Sequence, residues 1–136
     1  MVDEKRRMAI PAQWSQIEAA ETIVLVLWPG SKAGACIRGV KRGGLEKMAD
    51  EIDAVPNTDP KKAILKRQVF GRSAELALDK VRRVTLPGWM AEAAGITTQA
   101  VLLGCGDRFE VWSPGRAKSL DEVEAEQMPE ALAIMG

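Results

Sequence analysis

One phrase is written twice in this chain. Residues 3–11 read DEKRRMAIP and residues 79–87 read DKVRRVTLP, with Asp, adjacent arginines, two alternating apolar residues and Pro in the same order. At an offset of 76, Asp3 falls on Asp79, Arg6 on Arg82, Arg7 on Arg83, Met8 on Val84, Ile10 on Leu86 and Pro11 on Pro87. A period of this length is too long for a solenoid and reads as a single duplication. A unit of ~45 residues buries too little apolar surface to stand alone. The two halves are therefore expected to pack on each other around one shared core.

The agreement continues beyond the phrase. After each Pro, apolar residues recur at helical spacing: Trp14, Ile17 and Ala20 in the first copy, Met90, Ala93 and Ala94 in the second, where Gly95 is a stop signal. Aliphatic runs follow, TIVLVLW at 22–28 and QAVLLG at 99–104, and then, across Gly-containing turns, the strand-like stretches GACIRGV and DRFEVW. Each copy thus reads as strand, tight turn, strand, Pro, short helix and hairpin. Between the copies, residues 44–70 read as a helical hairpin. Leu45, Met48 and Ile52 form one stripe, VPNTDP breaks the chain, Asp59 caps a second helix with Pro60 at its first position, and Gly71 ends it. The expected fold class is α/β (α+β). Residues 1–43 form a first unit, 44–72 a helical connector, 73–117 a second unit, and 118–136 an acidic C-terminal tail.

Within LALDKVRRVTLP, Leu76 and Leu78 alternate with polar or small residues before the turn, and Val84 and Leu86 do so after it. This pattern predicts two strands paired as a local hairpin through a tight turn that carries Lys80 and Arg82. Asp79 and Arg83 then stand at the two ends of the turn, close enough to pair, and Asp79 can accept turn amides. A single pair of this kind is more often a surface salt bridge than a functional element. Two copies, one with Lys5, Arg6 and Arg7 and the other with Lys80, Arg82 and Arg83, point instead to phosphate contact and bidentate reading of guanine edges.

Charge distribution agrees with an anionic partner. All 19 Lys and Arg lie in residues 1–118 with 14 of the 19 acids, whereas five acids and no base follow Lys118. The net charge of zero is therefore a basic body balanced by an acidic end. Arg38, Lys41, Arg42 and Arg108 extend the basic surface only weakly, as exposed hairpin residues. Trp14, Trp28, Trp89 and Trp112 sit among apolar residues and read as core or subunit-interface anchors. Enzyme chemistry finds little support: the chain has no His, no Gly-rich phosphate loop, and two cysteines, Cys36 and Cys105, without a recognisable activating partner. They read as reduced thiols, and no cofactor or metal is expected. No apolar run approaches the ~20 residues of a membrane span, so a cytoplasmic protein is expected.

DEKRRMAIPAQW, LDKVRRVTLPGWMAEAAGI and GCGDRFEVWS together resemble the MraZ family of bacterial transcriptional regulators, which carry two tandem SpoVT/AbrB-like units. The family's Asp-x-x-x-Arg motif is matched by Asp3 with Arg7 and by Asp79 with Arg83. The resemblance implies swapped-hairpin α/β units and a ring-shaped homo-oligomer associated with the nucleoid. It also implies binding to short repeated boxes of double-stranded DNA, as a repressor or autoregulator of a division and cell-wall gene cluster. Arg7 and Arg83 would then read bases or clamp phosphates, Lys5, Arg6, Lys80 and Arg82 would add phosphate contacts, and Asp3 and Asp79 would orient the turns. Two departures stand out. The family commonly places Gly before the motif Arg, where this chain has Arg6 and Arg82; if the turn needs a positive φ there, a side chain costs up to ~1 kcal/mol. Family members also carry about one more strand before the first Asp. The first hairpin is therefore expected to expose an edge unless the chain is truncated or a neighbouring subunit supplies the pairing. A reading from a different class is a protein-interaction module, a scaffold or antitoxin-like partner whose acidic tail docks on a basic protein.

Overall fold

The computed structural model describes residues 1–11, 14 and 22–136. Its strands are β1 (Arg7–Ala9), β2 (Thr22–Trp28), β3 (Cys36–Lys41), β4 (Ser73–Ala77), β5 (Arg83–Thr85), β6 (Val101–Gly104) and β7 (Phe109–Trp112). Its helices are α1 (Arg42–Asp53), α2 (Lys61–Val69), α3 (Gly88–Ala94), α4 (Pro114–Ala125) and α5 (Met128–Ala133). The fold is α+β, with an antiparallel five-stranded sheet in the order β4-β2-β3-β7-β6 and a separate two-stranded ribbon, β1-β5.

The run TIVLVLW is apolar at nearly every position because β2 is covered on both faces. Ile23, Leu25 and Leu27 enter the main core, and Val24 and Val26 enter a second cluster with Val40, beneath Leu45 and Met48 of α1. The main core draws on both halves of the chain: Met8, Ile10 and Ile37 meet Leu78, Val84, Leu86, Met90, Phe109 and Val111. The halves join at three strand pairings, the first being β2 with β4. In the sheet, β3 pairs with β7 through Ile37↔Val111, Arg38↔Glu110 and Gly39↔Phe109. In the ribbon, β1 pairs with β5 through Arg7↔Thr85, Met8↔Val84 and Ala9↔Arg83.

The ribbon corrects the expected local hairpin. β4 does not pair with β5; it lies on the edge of β2, with Ile23 opposite Leu76, while β5 crosses to β1 of the other copy. Leu76 and Ala74 extend the core from β2, so the turn at Asp79 carries the chain out of one sheet and into the other. The first copy does not lack a partner strand, since β1 pairs with β5, although each strand of this two-stranded ribbon keeps one open edge. Val2 is buried, and its N–H donates to the Thr98 carbonyl at 2.9 Å.

The connector forms the expected two helices, with Ile52 and Val69 buried. The Asp59 carboxylate accepts the Lys61 N–H at 2.9 Å, as a cap does. Gly95 ends α3 in the left-handed region at φ 71°, and the Ile96 N–H reaches back to the Ala91 carbonyl. Ile17 and Ala20 of the expected first-copy helix lie outside the described residues, whereas Trp14 rests against Phe109 with ring centroids 5.6 Å apart. The acidic end is helical. Ser113 caps α4, and Arg116 ties the helix to the body by donating to the carbonyls of Ala35 and Ala93.

Candidate nucleic-acid interface

The two copies of the phrase build two turns with the same hydrogen bonds. In the first, Asp3 Oδ1 accepts the Lys5 and Arg7 N–H groups, both at 2.9 Å, while Oδ2 accepts Arg7 Nε at 2.7 Å. In the second, Asp79 Oδ1 accepts Val81 N–H at 3.0 Å and Arg83 N–H at 2.8 Å, and Oδ2 accepts Arg83 Nε at 2.9 Å. The main chain closes each turn through Arg6 N–H to the Asp3 carbonyl and Arg82 N–H to the Asp79 carbonyl. These contacts hold both carboxyls below the usual Asp value of 3.8. The N–H of the motif Arg contributes most, burial opposes it, and the guanidinium hydrogen bond comes next.

Alternation along the ribbon places the motif arginines on one face. Met8 and Val84 turn into the core, and Arg7, Ala9, Arg83 and Thr85 face away from it. Since Arg83 pairs with Ala9, the two arginines stand two residues apart along the ribbon, ~7 Å, and one strand spacing across, ~5 Å. Each carboxylate takes only Nε. Among the described residues neither Arg7 nor Arg83 has an acceptor for its terminal Nη groups. Lys5 and Lys80 are exposed on the turns. Lys5 occupies the turn position held by Val81 in the second copy, and Val81 is 63% exposed. The alternation before and after the turns missed Val81 as a surface residue, and only the copy-to-copy mismatch marked it.

Arg6 and Arg82 both adopt the left-handed conformation, at φ 60° and 64°, so the turn does need a positive φ at the position where the family commonly has Gly. Their guanidinium groups engage the opposite copy. Arg6 Nε donates to the Leu86 carbonyl at 3.2 Å. Arg82 donates from Nε to Ile10 at 3.4 Å and from Nη2 to Pro11 at 3.1 Å and Trp14 at 3.3 Å.

The other basic candidates lie elsewhere. Arg38 stacks on Trp28, its Cζ 3.7 Å from the ring centroid, and leans with Arg108 toward Glu110. Burial first, and the Arg108 charge second, lower the Arg38 pKa. Arg42 is exposed beside Glu75, and Lys41 ends β3. Of the tryptophans, Trp112 is buried and donates Nε1–H to Glu110, whereas Trp89 is half exposed. Both cysteines are free thiols, with Cys36 buried and Cys105 exposed. Among the described residues no three His, Cys, Asp or Glu side chains converge to hold a metal, and no helix is long and apolar enough to cross a membrane.

No family model matches the chain. Similarity to curated proteins is extensive. The chain is 34% identical over 120 residues to the transcriptional regulator MraZ of Stenotrophomonas maltophilia, an alignment that covers 88% of this chain and 81% of the relative. It is 35% identical over 122 residues to the transcriptional regulator MraZ of Xanthomonas campestris pv. campestris, with 88% and 81% covered. The chain belongs to the MraZ family. A third relative, the transcriptional regulator MraZ of Parvibaculum lavamentivorans, is 31% identical over 127 residues, 93% of this chain and 78% of its own length. Within an MraZ-family chain, the repeated Asp-x-x-x-Arg turns are thus two equivalent loops at the ends of one ribbon, with both motif arginines on its outer face.

Proposed function

We propose that this protein is a sequence-specific DNA-binding regulator of transcription that meets double-stranded DNA with the outer face of the β1-β5 ribbon. The observation that carries this reading is the placement of Arg7 and Arg83 on that one face, each held by its Asp through Nε and with no acceptor for its Nη groups among the described residues. A major groove ~12 Å wide admits a two-stranded ribbon, and a guanidinium reads guanine O6 and N7 through two donors. Lys5 and Lys80 supply phosphate contacts, Arg6 and Arg82 brace the ribbon, and Asp3 and Asp79 orient the turns. Val81 offers an apolar contact of the kind a thymine methyl accepts.

One ribbon gives few contacts. The protein acts as a homo-oligomer, in a ring, whose ribbons engage successive short boxes, so that effective concentration multiplies weak single contacts. Its place of work is the nucleoid in the cytoplasm, its output is repression of its own gene cluster, and it performs no catalysis.

The test is a titration of the purified protein against DNA from upstream of its own gene, at two salt concentrations and against scrambled competitor. Binding that resists the competitor and weakens steeply with salt is the expected result. A folded, oligomeric protein that binds no fragment would sink the DNA reading and return the turns to a protein-interaction module.

A further inference from the structure

Arg6 and Arg82 stand where a glycine would be unstrained, and the hydrogen bonds say what a side chain gains there. In an antiparallel ladder, a hydrogen-bonded pair of residues exchanges two bonds, each N–H donating to the other's carbonyl. Arg6 and Leu86 form half of such a pair: the Leu86 N–H donates to the Arg6 carbonyl at 2.8 Å. The returning bond cannot form from the main chain, because the left-handed turn has taken the Arg6 N–H to the Asp3 carbonyl at 2.9 Å. Arg6 Nε makes that bond instead, to the carbonyl of the same Leu86.

The other end of the ribbon repeats the arrangement. The Ile10 N–H donates to the Arg82 carbonyl at 2.8 Å, the Arg82 N–H is held by Asp79, and Arg82 Nε turns back to the Ile10 carbonyl. Here Nη2 goes further, to Pro11 and Trp14. Leu86 and Ile10 are 0% and 2% exposed, so carbonyls stripped of these donors would have little water to replace them.

We infer that Arg6 and Arg82 are positioning residues: each guanidinium replaces the ladder donor its turn has consumed, and the two together lock the turns carrying Arg7 and Arg83 at a fixed separation. The structural half of the inference stands on the hydrogen bonds; the DNA half rests on the function proposed above. Relief of backbone strain makes Gly the better residue at a left-handed position. The clamp reverses that expectation, so Arg82→Gly and Arg6→Gly destabilise the protein. The effect is larger for Arg82, whose side chain serves three carbonyls against one for Arg6.

The experiment uses the full chain with Arg6→Gly, Arg82→Gly and both. Melting temperature and amide exchange at Ile10 and Leu86 are read without DNA, and binding to upstream DNA is read at a temperature where each variant is folded. Expected are lower melting temperatures for both single variants and exchange at Ile10 faster by about tenfold in Arg82→Gly. The folded variants are expected to bind DNA more weakly, with the double variant losing less than the sum of the singles because either loss already frees the ribbon. A melting temperature equal to or above that of the unsubstituted chain, with unchanged exchange at Ile10 and Leu86, would overturn the clamp. Faster exchange with undiminished DNA affinity per folded molecule would overturn the positioning role. Failure of the DNA reading itself is recognised separately, in an unsubstituted chain that binds no fragment. Should Arg82→Gly not fold, Arg6→Gly carries the same three readouts at Leu86.

Discussion

The β3–β7 seam between the two halves makes the sharpest stability prediction. Gly39 on β3 lies opposite Phe109 on β7, and a Cβ built on Gly39 would sit 2.0 Å from Phe109 Cζ, with two further ring atoms at 2.3 and 2.5 Å. The ring cannot swing clear, because Phe109 is 1% exposed and packed against Trp14. Gly39→Ala therefore sets a gain in strand propensity of about 0.5–1 kcal/mol against overpacking of about 1–3 kcal/mol or more. The clash involves three ring atoms at well under contact distance, so overpacking wins and the net effect is a loss of about 1–2 kcal/mol. For a chain of this size that is a fall in melting temperature of roughly 3–10 °C. Thermal unfolding followed by tryptophan fluorescence measures it, and Phe109→Leu in the Gly39→Ala background should recover part of the loss through coupling between contacting residues. A Gly39→Ala protein as stable as the parent would refute the close approach of β3 and β7, and with it the shared core.

Two further outcomes follow from ionisation. Asp3 and Asp79 have folded pKa values below 3.8, so their contribution to stability is complete above the unfolded value and disappears as pH falls through the folded one. The protein should lose stability below pH about 4, and Asp3→Asn/Asp79→Asn should be less stable at neutral pH while showing a shallower acid transition in circular dichroism. Burial first, and Glu110 second, raise both thiols, Cys36 to about 11, but Cys36 is buried whereas Cys105 is exposed to reagent. Iodoacetamide at mild alkaline pH should modify Cys105 alone in the native protein, read by mass spectrometry, and reach Cys36 only after unfolding.

What the sequence disclosed was mostly what is local. The Asp–Arg pairs are four residues apart, so an alternating strand and a tight turn suffice to bring them together, and both formed. The same holds for the run at β2, the stripe of α1 and the glycine that ends α3. Partner choice was not local. Leu76 and Leu78 alternate equally well beside Val84 or beside Ile23, and nothing in a period of two says which edge they meet; the structure chose Ile23 for Leu76 and left β5 to β1. The roles of Arg6 and Arg82 were hidden for a similar reason, since the acceptors of their side chains lie 68 to 80 residues away. At the acidic end a signal was present: Ser113 before Pro114 is a helix start, and charge counting passed over it.

The central claim is that Arg7 and Arg83 touch DNA while their carboxylates merely hold them. It is tested most directly by Arg7→Ala/Arg83→Ala, with melting temperature and affinity for the upstream fragment measured across a salt series. Both Asp side chains still accept two main-chain N–H groups without the guanidinium, so the turns persist. The account predicts a melting temperature within a few degrees of the parent, specific binding weaker by about 100-fold or more, and a salt dependence shallower by about two counterions. Unchanged affinity and salt slope in a folded variant, or a fall in stability that accounts for all the lost binding, would contradict it.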